Sequence, residues 1–413
     1  MNKPLKIILI AFVAMVLVVC SFGGGLVAGR FIPGLPAAIP SNSQSTSNGS
    51  SQGGTPADLQ SLFAPFWQAW NIIHQQYVDQ PVDNTKLMQG AINGMMQSLG
   101  DPHSTYMDPQ VYKDATSQLQ GSYAGIGAYV DTNGTLLTIT KPMPGSPAEK
   151  AGLQAGDQVI AVDGQDVTSL PPETVRQKVL GASGTKVTLT IQRQGETAPL
   201  NFDITRALIV VPSVTSKMLD NGIAYVQIST FGDTTAKDLH TQLGALMAQK
   251  PKGLILDLRD NGGGYLDTAI SVASEFMPSG VVVTEVSGDG TKQSYDVTKG
   301  GLATDSSLPM IVLVNAYSAS ASEIVSGALQ DTGRAKLLGV TTYGKGSVQN
   351  WVPLSDNQGA VRITIARWLT PDGRTIDKKG LTPDIVVNMT ADDLKAGKDP
   401  QLDAAVKQLT AAK

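Results

Sequence analysis

The sequence predicts an α/β fold carried in a multidomain chain, and three observations predict it. From residue 222 onward, apolar runs of strand length alternate with amphipathic helical stretches, the grammar of a layered α/β unit. Upstream, residues 119–207 hold short strand-like runs separated by glycine turns and interrupted by one helix, the pattern of a small separate module. The 413 residues, 41% hydrophobic and 16% charged with 43 glycines, exceed one ordinary domain and have a globular composition rather than a disordered or coiled-coil one.

The amino-terminal part is organised by hydropathy and composition. Residues 7–28 carry no charge and would span about 33 Å as a helix, enough to cross a bilayer. Lys3 and Lys6 precede this run and Arg30 follows it, a bias that places the N-terminus in the cytoplasm. A single-pass transmembrane signal anchor over residues 1–30 is therefore expected, with the protein at the cell membrane and everything after it extracytoplasmic. A cleaved signal peptide is the alternative, and it would leave the rest secreted. Cys20, the only cysteine, lies inside this run, so the folded part has no disulfide and no thiol chemistry. Residues 31–57, rich in Ser, Asn, Gln, Gly and Pro, form a flexible linker that cannot build a core.

Residues 58–118 read as an N-terminal helical region. Leu59, Leu62, Phe63, Phe66, Trp70, Ile73 and Tyr77 recur at spacings of three and four, and Leu87, Ala91, Met95 and Leu99 mark a second helix. These helices are expected to pack on each other or on another subunit. In the next module, strands are expected at 136–140, 158–162, 186–192 and 201–205, with a helix opened by Pro171-Pro172-Glu173 and closed near Leu180-Gly181. Downstream the expected order is strand 223–228, helix 234–249, strand 254–258, helix 266–276, strand 281–286 and strand 310–314, then a polar turn and a helix to about Gln330. Further strands are expected at 346–353 and 360–368. The net charge of −4 and the lack of a large basic cluster argue against nucleic-acid binding, which needs concentrated Lys and Arg.

The chemistry-bearing residues gather in the second half. Met310-Ile-Val-Leu-Val-Asn-Ala-Tyr-Ser-Ala-Ser-Ala-Ser-Glu323 places serines where a buried strand hands over to a helix, and first-turn amides there can face a reacting oxygen. Ser320-x-x-Glu323 is equally the pattern of a capping box, in which the serine only satisfies those amides. A serine nucleophile needs a base. His74 and His240 fall in helical patterns, and His103 follows Gly100-Asp101-Pro102 in a turn; none sits in a triad context. Lys345, in Gly344-Lys345-Gly346 just before a strand, fits better, because glycines permit close approach of another backbone and burial can bring an amine toward neutrality. Gln349 follows on the same strand face. Four extended residues cover about 13 Å, so contact between the two side chains requires a bend. Leu254-Ile-Leu-Asp-Leu-Arg-Asp-Asn-Gly-Gly-Gly264 ends a strand in three glycines without the Gly-Lys-Ser/Thr ending of a nucleotide loop. It reads as the second half of an oxyanion hole or as a plain tight turn.

With these residues in place, the chain from about Asp58 to Met389 resembles the carboxyl-terminal processing, or tail-specific, serine proteases. Leu99-Gly-Asp-Pro-His-Ser-Thr-Tyr106 is similar to that family's motif before its PDZ domain, with a glycine the family usually lacks. Gly145-Ser-Pro-Ala-Glu-Lys-Ala-Gly-Leu-Gln-Ala-Gly-Asp157 and Ile160-Ala-Val-Asp-Gly164 resemble the PDZ signature. Asp257-Leu-Arg-Asp-Asn-Gly-Gly-Gly264, Ser318-Ala-Ser-Ala-Ser-Glu323, Tyr343-Gly-Lys-Gly-Ser-Val-Gln349 and Thr370-Pro-Asp-Gly-Arg374 resemble its protease core. The resemblance implies a PDZ domain over 119–207, a crotonase-like/ClpP-like α/β Ser-Lys protease core over 208–399 and a C-terminal helix over 400–413.

Carried onto this chain, the resemblance implies Ser320 as nucleophile, Lys345 as general base and Gln349 as the residue orienting the lysine. It also implies an oxyanion hole from the amides of Ala321 and one glycine among 262–264, taken as Gly263, and a loop Gly125-Ile126-Gly127-Ala128 that receives a peptide's terminal carboxylate. No metal or cofactor is implied. The expected partners are protein or peptide substrates with accessible C-termini, the membrane through the N-terminal helix, and other copies of the chain through the N-terminal helices. Where some relatives carry an arginine just before the glycine matching Gly181, this chain has Leu180, which removes that route of peptide-gated activation from what the resemblance implies. The alternative to the enzyme is a non-catalytic, membrane-anchored PDZ adaptor.

Overall fold

The computed structural model describes residues 59–411, so the apolar run at 7–28 and the linker at 31–57 lie outside the described residues. Among the described residues no helix is long and apolar enough to cross a membrane. The chain divides into two compact units, residues 1–82 and 83–413. In the first, helix α1 (Gln60–Gln76) realises the aromatic periodicity but buries none of its residues. Phe63, Phe66, Trp67 and Trp70 instead pack ring against ring along its side, the closest pair being Phe66 and Trp67 with centroids 5.0 Å apart.

The second unit opens with α2 (Asn84–Gln97), whose first-turn amides of Thr85 and Lys86 are accepted by the Asp83 carboxylate. A turn leads to β1 (Thr105–Met107) and then to α3 (Pro109–Leu119). The sequence reading missed α3 although its signal is legible: Asp108 accepts from the Gln110 and Val111 amides and Pro109 stands in the first turn.

The strand-rich module follows as β2 (Ser122–Gly125), β3 (Ala128–Asp131), β4 (Thr138–Pro142), α4 (Pro147–Ala151), β5 (Gln158–Val162), β6 (Gln165–Asp166), α5 (Pro172–Val179), β7 (Lys186–Gln192), β8 (Leu200–Thr205) and β9 (Ala207–Val210). β2 pairs antiparallel with β9, so the module closes where it opens. The main sheet runs β3-β4-β5-β7-β8 around a core that includes Ile139, Val159, Val187, Leu189 and Ile204. Buried Arg206 ties β8 to α5 by donating to the carbonyls of Lys178, Val179 and Lys186, which satisfies the orphan carbonyls at the helix end.

The rest of the unit comprises β10 (Val214–Met218), β11 (Ile223–Ile228), α6 (Thr235–Met247), β12 (Gly253–Asp257), α7 (Leu266–Ser274), β13 (Val281–Ser287), β14 (Lys292–Asp296), β15 (Met310–Val314), α8 (Ala321–Asp331), β16 (Lys336–Gly339), β17 (Ser347–Pro353), β18 (Ala360–Leu369), β19 (Ile385–Val386), α9 (Ala391–Lys395) and α10 (Pro400–Ala411). One sheet has the order β10-β11-β12-β15-β16-β19, parallel from β11 onward. Every residue of β12 and β15 is buried. Residues of α6, α7 and α8 join the core on one face, and α10 supplies Ala405 and Leu409 to the core on the other. Cover on both sides is why these strands read as unbroken apolar runs. A second sheet, β1-β18-β13-β14 with β17 also on β18, carries the far wall of the site. Its edge strand β1 comes from before the strand-rich module, a long-range pairing that periodicity cannot reveal.

The α10 end is held by charge. Arg259, just past β12, donates to wholly buried Asp257 at 2.6 Å and to Asp399 at 2.8 Å, while the Tyr225 hydroxyl also donates to Asp257 at 2.7 Å. Replacing Arg259 by methionine strands the Asp257 charge, and such losses cost about 3–5 kcal/mol. Urea denaturation of Arg259→Met is expected to show a loss of that order, whereas an unchanged midpoint would mean that Asp257 needs no cation.

Candidate active site

β12 and β15 lie side by side and parallel, so the turns leaving their carboxyl ends meet, the usual place for a crevice in such a sheet. The turn after β15 holds the three serines, and the structure separates them. Ser318 Oγ donates to the Leu258 carbonyl at 2.8 Å and accepts from the Asn315 amide at 2.9 Å. Ser322 Oγ donates to the Asn261 carbonyl at 2.8 Å, and both residues are 0% exposed. Their hydroxyls are structural. Ser320 has φ 55° and ψ −115°, a conformation that a non-glycine residue adopts only under constraint. It is half-buried and lines a cleft of about 1280 Å³.

The capping-box pattern is present. The Ser320 amide donates to Glu323 Oε2 at 2.9 Å, and the Glu323 amide donates to the Ser320 carbonyl at 2.8 Å. With the Glu323 amide taken by that carbonyl, the Ser320 side chain borders the cleft. Glu323 does more than cap. Fully buried, its carboxylate also accepts from Thr342 Oγ1 at 2.6 Å, the Gly344 amide at 2.7 Å and the Lys345 amide at 2.9 Å. Burial outweighs these donors and raises its pKa above the ordinary carboxylate value, while the four donors occupy both oxygens as acceptors. One side chain thus pins the turns bearing Ser320 and Lys345.

Lys345 is clamped at its backbone, since its carbonyl accepts from Trp368 Nε1 at 3.1 Å. Gly344 permits this path: its φ is 89°, and a Cβ there would stand 2.8 Å from the Gly380 nitrogen. The side chain lines the cleft with Ser320 and Gln349, and its amine makes neither ion pair nor hydrogen bond among the described residues. Burial first, then the Arg362 guanidinium, hold that amine down at about 8 against the pull of Glu323 and Asp101. The bend required between Lys345 and Gln349 is a break in the β17–β18 register between Val348 and Gln349, so the pair is not separated by a straight strand.

The oxyanion donors need a correction. The Ala321 amide, at the first helical position, has no acceptor among the described residues. The Gly263 amide is already given to Asn261 Oδ1 at 2.9 Å, because that buried side chain, whose Nδ2 donates to the Ile228 carbonyl at 2.8 Å, would otherwise hold an unpaired carbonyl. Gly263 contributes shape: with φ 104°, a Cβ there would lie 2.8 Å from Ser320 Cβ and 3.0 Å from the Ala321 nitrogen. The Gly262 and Gly264 amides are the ones left without an acceptor among the described residues.

His103 is a hydrogen-bonded turn residue, as its context predicts. The turn 101–104 abuts the β17–β18 wall, where Arg362 Nε donates to the His103 carbonyl at 2.9 Å. Burial, then the nearby Lys345 charge, push its imidazole below the ordinary range. In the strand-rich module, the Ile126 and Gly127 carbonyls accept from the Ala148 and Met143 amides at 2.8 and 2.9 Å. Trans peptide geometry then turns the Gly127 and Ala128 N–H groups the other way. Ile126 and Ala128 line an apolar groove of about 250 Å³, whereas Gly125 ends β2. Tyr123, Arg176 and Leu180 line both this groove and the larger cleft.

Comparison with known proteins places the same segments. Residues 222–387 match the description Peptidase family S41, residues 138–193 match PDZ domain, and residues 35–111 match Activating protease CtpB N-terminal domain. The chain is 40% identical over 347 residues to a carboxy-terminal-processing protease of Bartonella bacilliformis, covering 82% of this chain and 78% of that one. It is 39% identical over 345 residues to the carboxy-terminal processing protease CtpA of Bacillus subtilis, covering 83% and 72%. A solved Bacteroides fragilis structure assigned to the S41 proteases shares the fold with TM-score 0.54 at 17% identity, covering 83% of this chain and 97% of that one.

Gly263 offers a direct check on the packing around Ser320. Gly263→Ala is expected to cut hydrolysis of an unfolded protein at least about 100-fold, the scale of losing an oxyanion donor, because its Cβ drives into Ser320 and Ala321. Thermal melting should show the variant folded; retention of wild-type rate would refute the close approach.

Proposed function

Starting from a chain that belongs to the carboxy-terminal processing proteases of peptidase family S41, and so is a serine-type peptidase acting on proteins, we propose that it cuts exported proteins near C-termini held on its PDZ domain, using Ser320, Lys345 and Gln349. The observation that carries this reading is the pairing, in one cleft, of a serine hydroxyl at a strained helix start with a sheltered amine that has no acidic partner.

Neutral Lys345 takes the Ser320 proton as Oγ attacks a peptide carbonyl. The oxyanion gathers at the Ala321 amide, with a glycine amide of the 262–264 turn beside it. The ammonium then protonates the leaving amine, and Lys345 acts again when water resolves the acyl-enzyme. Gln349 accepts from the amine and holds it in line. Apolar C-terminal tails suit the groove lined by Ile126, Val130, Leu137 and Val179, and the amides of Gly127 and Ala128 suit the terminal carboxylate. Leu180 and Arg176 at the junction of groove and cleft make the groove a tether beside the active site.

The charge-free run at 7–28 supports anchoring in the cell membrane with the catalytic part outside, or secretion if the run is cleaved. The exposed apolar side of α1, with Leu62 at 69% and Trp67 at 51%, supports self-association through the N-terminal helices.

Degradation of an unfolded substrate carrying an apolar tail decides the matter. Ser320→Ala and Lys345→Ala should each abolish cleavage, and removing the tail should slow wild type. With the amine at about 8, the free-base fraction rises as pH climbs through that value. The expected kcat/KM therefore falls about tenfold per pH unit well below it and levels above; a flat profile from pH 5 to 9 would exclude Lys345 as the base.

A further inference from the structure

Gln349 can help a lysine only if its carbonyl, not its amide nitrogen, faces the amine. We infer that the Asp101 carboxylate, through Thr364, sets which way the Gln349 amide points and is thereby a positioning residue for the base; this rests on the reading of Lys345 as general base.

The argument is one of hydrogen-bond polarity. Asp101 Oδ2 lies 2.6 Å from Thr364 Oγ1 and 2.6 Å from Ser104 Oγ, and Oδ1 takes the His103 amide at 3.0 Å. Burial would raise the Asp101 pKa, but the donors from Ser104, Thr364 and His103 outweigh it and hold it at about 2. Asp101 is thus ionised at any working pH and can only accept. Thr364 has one hydroxyl proton, and it goes to Asp101. Toward Gln349, 3.2 Å away, Thr364 Oγ1 is left as an acceptor, so only the NH₂ end of the amide can face it. The second N–H goes to Ser347 Oγ at 2.8 Å. With both donors spent on the wall, Oε1 is the end left for the cleft. Ser104 secures the frame, donating to Asp101 and accepting from the Thr364 amide at 3.0 Å.

A neutral asparagine at 101 can donate to Thr364, reverse its hydroxyl and turn the Gln349 amide over. Three charged groups act on the Lys345 amine: Arg362 disfavours its proton, while Glu323 and Asp101 favour it; the His103 imidazole beside it is itself pushed below the ordinary range by burial and by Lys345. Losing the Asp101 charge and losing the Gln349 carbonyl therefore both move the Lys345 proton off at lower pH.

The test is kcat and KM of the full-length protein on a fluorogenic peptide from pH 5 to 10. Thr364→Val, nearly isosteric, is expected to lower kcat about tenfold with KM within about twofold and to move the apparent pKa of kcat/KM toward acid. Thr364→Ser should restore both. Asp101→Asn should lower kcat similarly and move the pKa further, since it also removes a charge, and it carries the test if Thr364→Val loses its near-ultraviolet dichroism. Folded Thr364→Val or Asp101→Asn with wild-type kcat and an unmoved profile would overturn the relay. If Lys345→Ala stays active, the assignment of the base fails instead.

Discussion

The site depends on one buried carboxylate. Glu323 takes the amide of Ser320 from one turn and the amides of Gly344 and Lys345, with the Thr342 hydroxyl, from another. These turns leave different strands and would otherwise be free to drift by the ångström that separates a reactive pair from an inert one. A fully buried carboxylate is tolerated only because its oxygens are saturated by donors. The same saturation makes the geometry of the two turns mutually dependent: neither can move without leaving Glu323 unpaired.

That constraint explains how a single-serine site emerges from a serine-rich turn. Ser318 and Ser322 are consumed in stitching the turn to Leu258 and Asn261, and Asn261 in turn ties the glycine loop to β11 through the Ile228 carbonyl. Ser320 is the residue over which this stitching is stretched, and its left-handed φ records the strain. The glycines answer a matching steric demand, for at Gly263 any Cβ would enter the space of Ser320 itself.

The opposite wall tunes rather than holds. Lys345 is buried and faces the Arg362 guanidinium, so its proton is weakly bound, while the Asp101 carboxylate is occupied by three donors of its own. Turn 101–104 and β1 reach this wall from the far side of the strand-rich module in sequence. The groove and the cleft are thus built on segments interleaved along the chain, and they share lining residues.

The local periods of the sequence determined most elements: the alternation of 223–314, the all-apolar β12 and β15, the serine-bearing strand-to-helix junction and the glycines around Lys345. These follow from burial and backbone sterics acting over a few residues. The motifs also carried the family, and with it the roles proposed for Ser320, Lys345 and Gln349. The sequence did not determine the partners of those residues. That Ser318 and Ser322 are tied to Leu258 and Asn261, that Glu323 reaches Thr342 and Gly344, and that Asp101 meets Thr364 across 263 residues are facts of the tertiary structure alone. Each is a hydrogen bond between groups far apart in the chain, and such bonds have no period for a sequence to display.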